Sequence, residues 1–185
     1  MRKIAVCILT AILITTSVVC YSENLSEELS GGIVRLHVIA ESNSEADQRI
    51  KLKVRDALLE KMEELDNIND IEENLFTFES VANEILEKEG FLYTARAEYG
   101  RFDFPTKHYE NFSLPKGEYN AVRIKLGKAE GENWWCVLFP PLCMVDAATE
   151  EADALLKETF GENYPLVTEH EKIPVKIKFK IAELF

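Results

Sequence analysis

The sequence predicts one α+β (or α/β) domain, with a mainly antiparallel sheet of about four or five strands covered by about three helices. Two kinds of hydrophobic spacing lead there. Apolar and polar residues alternate over 33–40, 93–100, 119–126 and 173–181, and 134–139 is a continuous apolar run, all of strand length. Apolar residues recur at three- and four-residue intervals over 50–65 and 71–86, which is helix spacing, and a short helix is expected to end near Phe160.

The elements follow in order. Arg2 and Lys3 precede an uncharged run from Ile4 to Cys20, the pattern of an export signal. Cys20 and Ser22 are small residues two apart, as a signal peptidase requires, so residues 1–22 are assigned to a signal peptide, with an uncleaved anchor as the alternative. A lipidated Cys20 is disfavoured, because Ser17 and Val19 stand where a lipobox carries Leu and a small residue. Residues 23–32 are small, polar and acidic and end in Gly31-Gly32, which predicts a flexible tether. The globular domain is assigned to 33–185.

In the first strand Val34, Leu36, Val38 and Ala40 share one face, and Ile33, Arg35, His37 and Ile39 share the other. Ser44 with Asp47 is a capping pair for a helix using Ile50, Val54, Leu58, Met62 and Leu65, with Lys51 on its outer surface. A second helix is expected from about Asp70 to Lys88, ended by Gly90. The strand at 93–100 leads into an aromatic loop with Phe102, Phe104, Tyr109 and Phe112. Pro115 and Gly117 mark a turn into the strand Tyr119 to Leu126. That strand is expected to form a hairpin with Trp134 to Phe139, which Pro140-Pro141 ends. Asp146 or Thr149 caps the third helix, which Gly161 stops. A final strand sets Val175, Ile177, Phe179 and Ile181 against Lys176, Lys178 and Lys180.

The net charge is −12. Loss of residues 1–22 would remove only Arg2 and Lys3 and leave −14, which disfavours nucleic acid and direct lipid binding after cleavage. Cys136 and Cys143 are the cysteines outside the leader. An exported domain permits a disulfide between them, and two buried thiols are the equal alternative. Their spacing and the isolated histidines fit no metal pattern, and no cofactor is expected.

Two segments hold the unusual residues. One runs from Arg35 to Ser44 and on through Asp47-Gln48 to Arg55-Asp56; the other is Asn133-Trp134-Trp135-Cys136 through Pro140-Pro141 to Asp146. Together they resemble the stage II sporulation protein R family, secreted signalling proteins of endospore-forming bacteria. Glu41 departs from the amide that family usually carries. The resemblance implies a ligand, not an enzyme, exported into the space between forespore and mother cell. Its implied partner is a membrane-embedded aspartic protease, the stage II sporulation protein GA type, which processes the sigma-E precursor. Candidate partner contacts are Arg35, His37, Asp47, Gln48, Arg55, Asp56, Trp134, Trp135, Phe139, Pro140 and Pro141. Adjacent tryptophans on a strand point to opposite faces, so one is a buried residue and the other a candidate anchor.

Two other functions fit the residues. His37 with a cysteine or a carboxylate could serve an extracytoplasmic hydrolase. The tryptophans could stack sugars in a carbohydrate-binding module. A nucleophile is not identifiable, so catalysis is the weaker alternative.

Overall fold

The computed structural model describes residues 2–65, 70–145 and 149–168. Helix α1 spans Arg2–Gly31, followed by β1 (Val34–Ile39), α2 (Glu45–Met62), α3 (Asp70–Glu73) and α4 (Leu75–Lys88). Strands β2 (Ala95–Phe104), β3 (Lys107–His108), β4 (Ser113–Leu114), β5 (Gly117–Leu126) and β6 (Asn133–Phe139) come next. Helix α5 (Glu150–Phe160), a 3-10 turn (Gly161–Asn163) and α6 (Tyr164–Thr168) complete the described chain. The expected strand at 173–181 lies outside the described residues.

The main sheet has the order β2-β5-β1-β6, with β1 parallel to β5 and antiparallel to β6. The architecture is therefore mixed α+β, with two of the three strand pairings antiparallel. The expected β5–β6 hairpin does not form, because β1 lies between those strands. Strand β1 is buried on both faces except at Ile39, so the core rewards placing it centrally. The connection between β5 and β6 crosses the end of β1 instead. Gly131 N donates to Ala40 O (2.9 Å) and Ala40 N to Glu132 O (3.4 Å).

One sheet face carries Leu36, Val38, Val122, Ile124 and Leu126 against Ile50, Val54 and Leu58 of α2 and Phe78, Ala82 and Leu86 of α4. The Ser44 hydroxyl accepts from Asp47 N and caps α2 as its spacing predicts. Lys51 is 5 % exposed, not outward-facing; its Nζ donates to Gln48 Oε1 and to Glu132 O, which offsets the cost of burying a cation. The single helix expected over 70–88 is two, meeting at Asn74. Asn83 and Glu79 of α4 bond the outer edge of β2 at Ala95 and Ala97, closing half of an edge that would otherwise be open.

The opposite face carries a second core of Tyr119, Ala121, Val137, Phe104, Leu156 and Phe160, beneath α5 and the β3–β4 flap. Helix α1 reaches this layer through Leu29, which is buried. Where a tether is expected over 23–32, the backbone is helical to Gly31, with Leu29 as its apolar hold on the domain. Lys3–Tyr21 is long and apolar enough to cross a membrane by length and composition.

Candidate functional site

Among the described residues, the second sheet face is only partly roofed. The β3–β4 flap and α5 cover one end, over Arg35, Tyr119 and Phe104, while register leaves two rows of side chains running past them. His37 is paired with Arg123 and Trp135, and Arg123 with Glu98, so Glu98, Arg123, His37 and Trp135 form one row across four strands. Arg96, Lys125, Ile39 and Asn133 form the next.

Arg35 anchors the roofed end and is fully buried. Its Nη2 donates to Tyr109 Oη (2.9 Å), and its guanidinium lies over the rings of Phe104 (4.2 Å) and Tyr119 (5.0 Å). Two of its nitrogens, Nε and Nη1, have no hydrogen-bond partner. Burial pulls its pKa below the ordinary value, with the two tyrosines opposing, and burial pushes the Tyr119 hydroxyl up to about 12. A guanidinium keeps its proton regardless, so aromatic faces do much of the work of solvating this charge.

His37 sits at the boundary between roof and open face, 7 % exposed. Its Nε2 donates to Asn133 Oδ1 (2.7 Å), and its ring stacks on Trp135 at 3.9 Å and 12°. Burial lowers its pKa to about 4; the Asn133 bond opposes this, and Arg123, Arg35 and Lys107 add to it. The imidazole is neutral near pH 7.

Beyond it the face is cationic and ordered. Glu98 accepts from Lys125 (2.6 Å) and from Arg123 (2.7 Å), and those two bonds hold its carboxyl below the usual range. Arg123 also stacks on Phe102 at 3.8 Å, and Lys107 Nζ lies 5.4 Å over Trp135. Arg96 is exposed. Among the described residues, four cations thus share this part of the face with one carboxylate, on a chain of net charge −12.

The candidate contacts do not form one site. Arg35, His37 and Trp135 meet on this face. Trp134 points the other way, 5.0 Å beneath the Arg55 guanidinium, which itself pairs with Asp56 at 2.6 Å. Asp47 and Gln48 are engaged in the turn that leads into α2. The Asp47 carboxylate accepts from Ser42, Ser44 and Tyr93 at 2.5, 2.8 and 2.7 Å. Burial would raise its pKa, and these hydroxyls outweigh that and lower it. Gln48 Nε2 donates to Ser42 O. Glu41, the departing residue, accepts from Lys128 N and helps close the same turn. Phe139 and Pro141 lie at the far end of β6 beside Met62 and Ile71, in a hollow of about 340 Å³, and Pro140 stands between them in the chain.

Cys136 and Cys143 are joined, with Cα atoms 5.8 Å apart. Cys143 N donates to Val137 O, so the bridged loop folds back along the outer edge of β6. Joined, Cys136 and Cys143 offer His37 no thiol to activate, and the opposed tryptophans make no common sugar platform. Among the described residues no cluster of ligating side chains could hold a metal ion. Arg96, Glu98, Arg123, Lys125 and Lys107 were not among the sequence candidates. Alternation puts Arg123 and Lys125 on an outward face, but only register brings them beside His37.

The family profile described as Stage II sporulation protein R (spore_II_R) matches residues 30–149. The chain belongs to the stage II sporulation protein R family. A stage II sporulation protein R of Bacillus subtilis (strain 168) is 39% identical over 139 residues, covering 71% of this chain and 62% of that protein. The chain therefore spans less than two thirds of that relative's length. No solved structure matches. The family match contains β1 through β6, and with them both rows of the open face.

Proposed function

We propose that this chain is a secreted signal of endospore formation, acting between the forespore and the mother cell. It would bind the extracytoplasmic part of a membrane-embedded aspartic protease and promote cleavage of the sigma-E precursor. Family membership across residues 30–149 carries this proposal. The apolar helix at Lys3–Tyr21 supports it, since a signal sequence has that composition.

A ligand activates only by binding the active arrangement of its receptor more tightly than the inactive one. The chain needs no chemistry of its own for this. The state of His37 agrees with that role: the ring is neutral, stacked on Trp135 and hydrogen-bonded to Asn133, and among the described residues its contacts include no nucleophile.

Co-expression of the full chain with the receptor protease and the sigma-E precursor, in a bacterium that does not sporulate, tests the proposal. Precursor cleavage should depend on the chain. Trp135→Ala should lower it strongly, whereas Trp134→Ala, on the helix-packed face, should act only through stability. Cleavage that proceeds equally without the chain would exclude the role.

A further inference from the structure

We infer that the open sheet face is a docking surface for an acidic segment of the receptor's extracytoplasmic part, an inference that rests on the signalling role proposed above. Charge selects the occupant. Among the described residues, Arg123 and Lys125 pair with the carboxylate of Glu98, Arg96 stands beside Lys125 in the next row and Lys107 lies over Trp135 toward the other edge, on a protein that is otherwise strongly acidic. Such a face attracts carboxylates and repels cations.

The cations are also held in place before anything binds. Glu98 bridges Arg123 and Lys125, Phe102 supports the Arg123 guanidinium, and Trp135 lies under Lys107. Their side chains stay accessible, Arg123 at 26% and Lys125 at 33%. Fixing long side chains in advance removes much of the ordering cost of association. The mixture favours a protein over a polyanion. Tryptophan and arginine are the residues that dominate protein interfaces, and a surface built for phosphates would not commit two of its cations to a carboxylate.

Size limits the segment. From Arg96 on β2 to Asn133 on β6 is three strand spacings, about 14 Å at roughly 4.8 Å each. That length matches about four extended residues or about nine helical ones. The expected occupant is a short stretch with at least two carboxylates and an apolar side chain to meet Ile39 and the Trp135 ring.

The test uses the full chain in the co-expression system. Arg96→Glu with Lys107→Glu should reduce precursor cleavage about tenfold or more, since like charges set against each other at an interface are strongly unfavourable. Arg96→Gln with Lys107→Gln should fall between that variant and wild type. Arg49→Glu with Lys53→Glu, on the exposed side of α2, should stay within about twofold. Melting temperatures of the purified variants separate misfolding from lost docking, and the neutral pair serves if the reversed pair does not fold. Wild-type cleavage by folded reversed and neutral variants would overturn the inference. So would binding to phosphatidylglycerol vesicles that the reversal abolishes while cleavage stays intact, which would assign the face to lipid. If the wild-type chain promotes no cleavage at all, the signalling role falls first, and this surface assignment with it.

Discussion

Gly131→Ala is the perturbation with the clearest structural magnitude. The β5–β6 connection must cross the end of β1 closely enough to bond it, and Gly131 is the point of closest approach. A Cβ there would overlap the carbonyl oxygen of Ser42, lie 2.6 Å from its carbonyl carbon and 2.9 Å from Ala40 Cβ. These obstacles are backbone or nearly so, and no flexible side chain can move aside. Overpacking costs about 1–3 kcal/mol, and a backbone clash belongs at the upper end. The bonds from Gly131 N to Ala40 O and from Glu130 N to Glu41 O are strained in the same movement. At about 2–4 °C per kcal/mol for a chain of this size, the melting temperature should fall by roughly 6–12 °C. Thermal unfolding followed by circular dichroism reads this directly. Gly31→Ala is the control, because nothing lies within 4 Å of its added Cβ, and it should leave the melting temperature unchanged or slightly raised. A Gly131→Ala protein melting within about 2 °C of wild type would refute the close-crossing geometry.

Two further outcomes follow from single groups. His37 has a folded pKa near 4 against an unfolded value of about 6.5, so the unfolded chain binds more protons between those limits. The stabilisation is complete above about pH 6.5 and is lost as pH falls toward about 4; at about 1.4 kcal/mol per unit it amounts to roughly 3 kcal/mol. Urea titrations of wild type and His37→Gln across that range should show the steeper slope in wild type, the carboxylates contributing equally to both, and parallel curves would contradict the burial assigned to the ring. Cys136→Ser with Cys143→Ser opens a loop of sequence separation 7, and chain-entropy estimates put the loss at about 2 kcal/mol. The urea midpoint should drop accordingly and become insensitive to reductant; a midpoint equal to oxidised wild type would show the bridge to be dispensable.

Much of the layering is legible from spacing alone. The helical period places α2 within a turn of its ends, and Ser44 marks its start, because capping and amphipathicity are local properties. The period of two separates Val34, Leu36 and Val38 from Arg35 and His37 correctly, since that division depends only on alternation. Strand order is not local. Trp134 to Phe139 follows Tyr119 to Leu126 after a short turn-rich stretch, so a hairpin is the natural expectation. Burial of both faces of β1 decides otherwise, and no residue in the connection signals it.

The site suffered from the same limit. Arg35, His37 and Trp135 stand out by type, and Arg123 with Lys125 by alternation, but their meeting is a matter of register between strands far apart in sequence. Lys51 departs in the opposite sense from its outward placement, and Asp47 and Gln48 also turn inward. Charged and amide side chains on a helix usually face solvent, and here the turn at 41–44 and the carbonyl of Glu132 draw them inward.

The most direct measurement places a photo-crosslinking amino acid at position 96 or 107, and for comparison at position 53 on α2, in the full chain co-expressed with the receptor protease. Crosslinks to the receptor's extracytoplasmic part should form from 96 and 107 and not from 53. Receptor crosslinks from position 53 alone, with cleavage still activated, would place the contact on the helical side and contradict an open sheet face as the signalling surface.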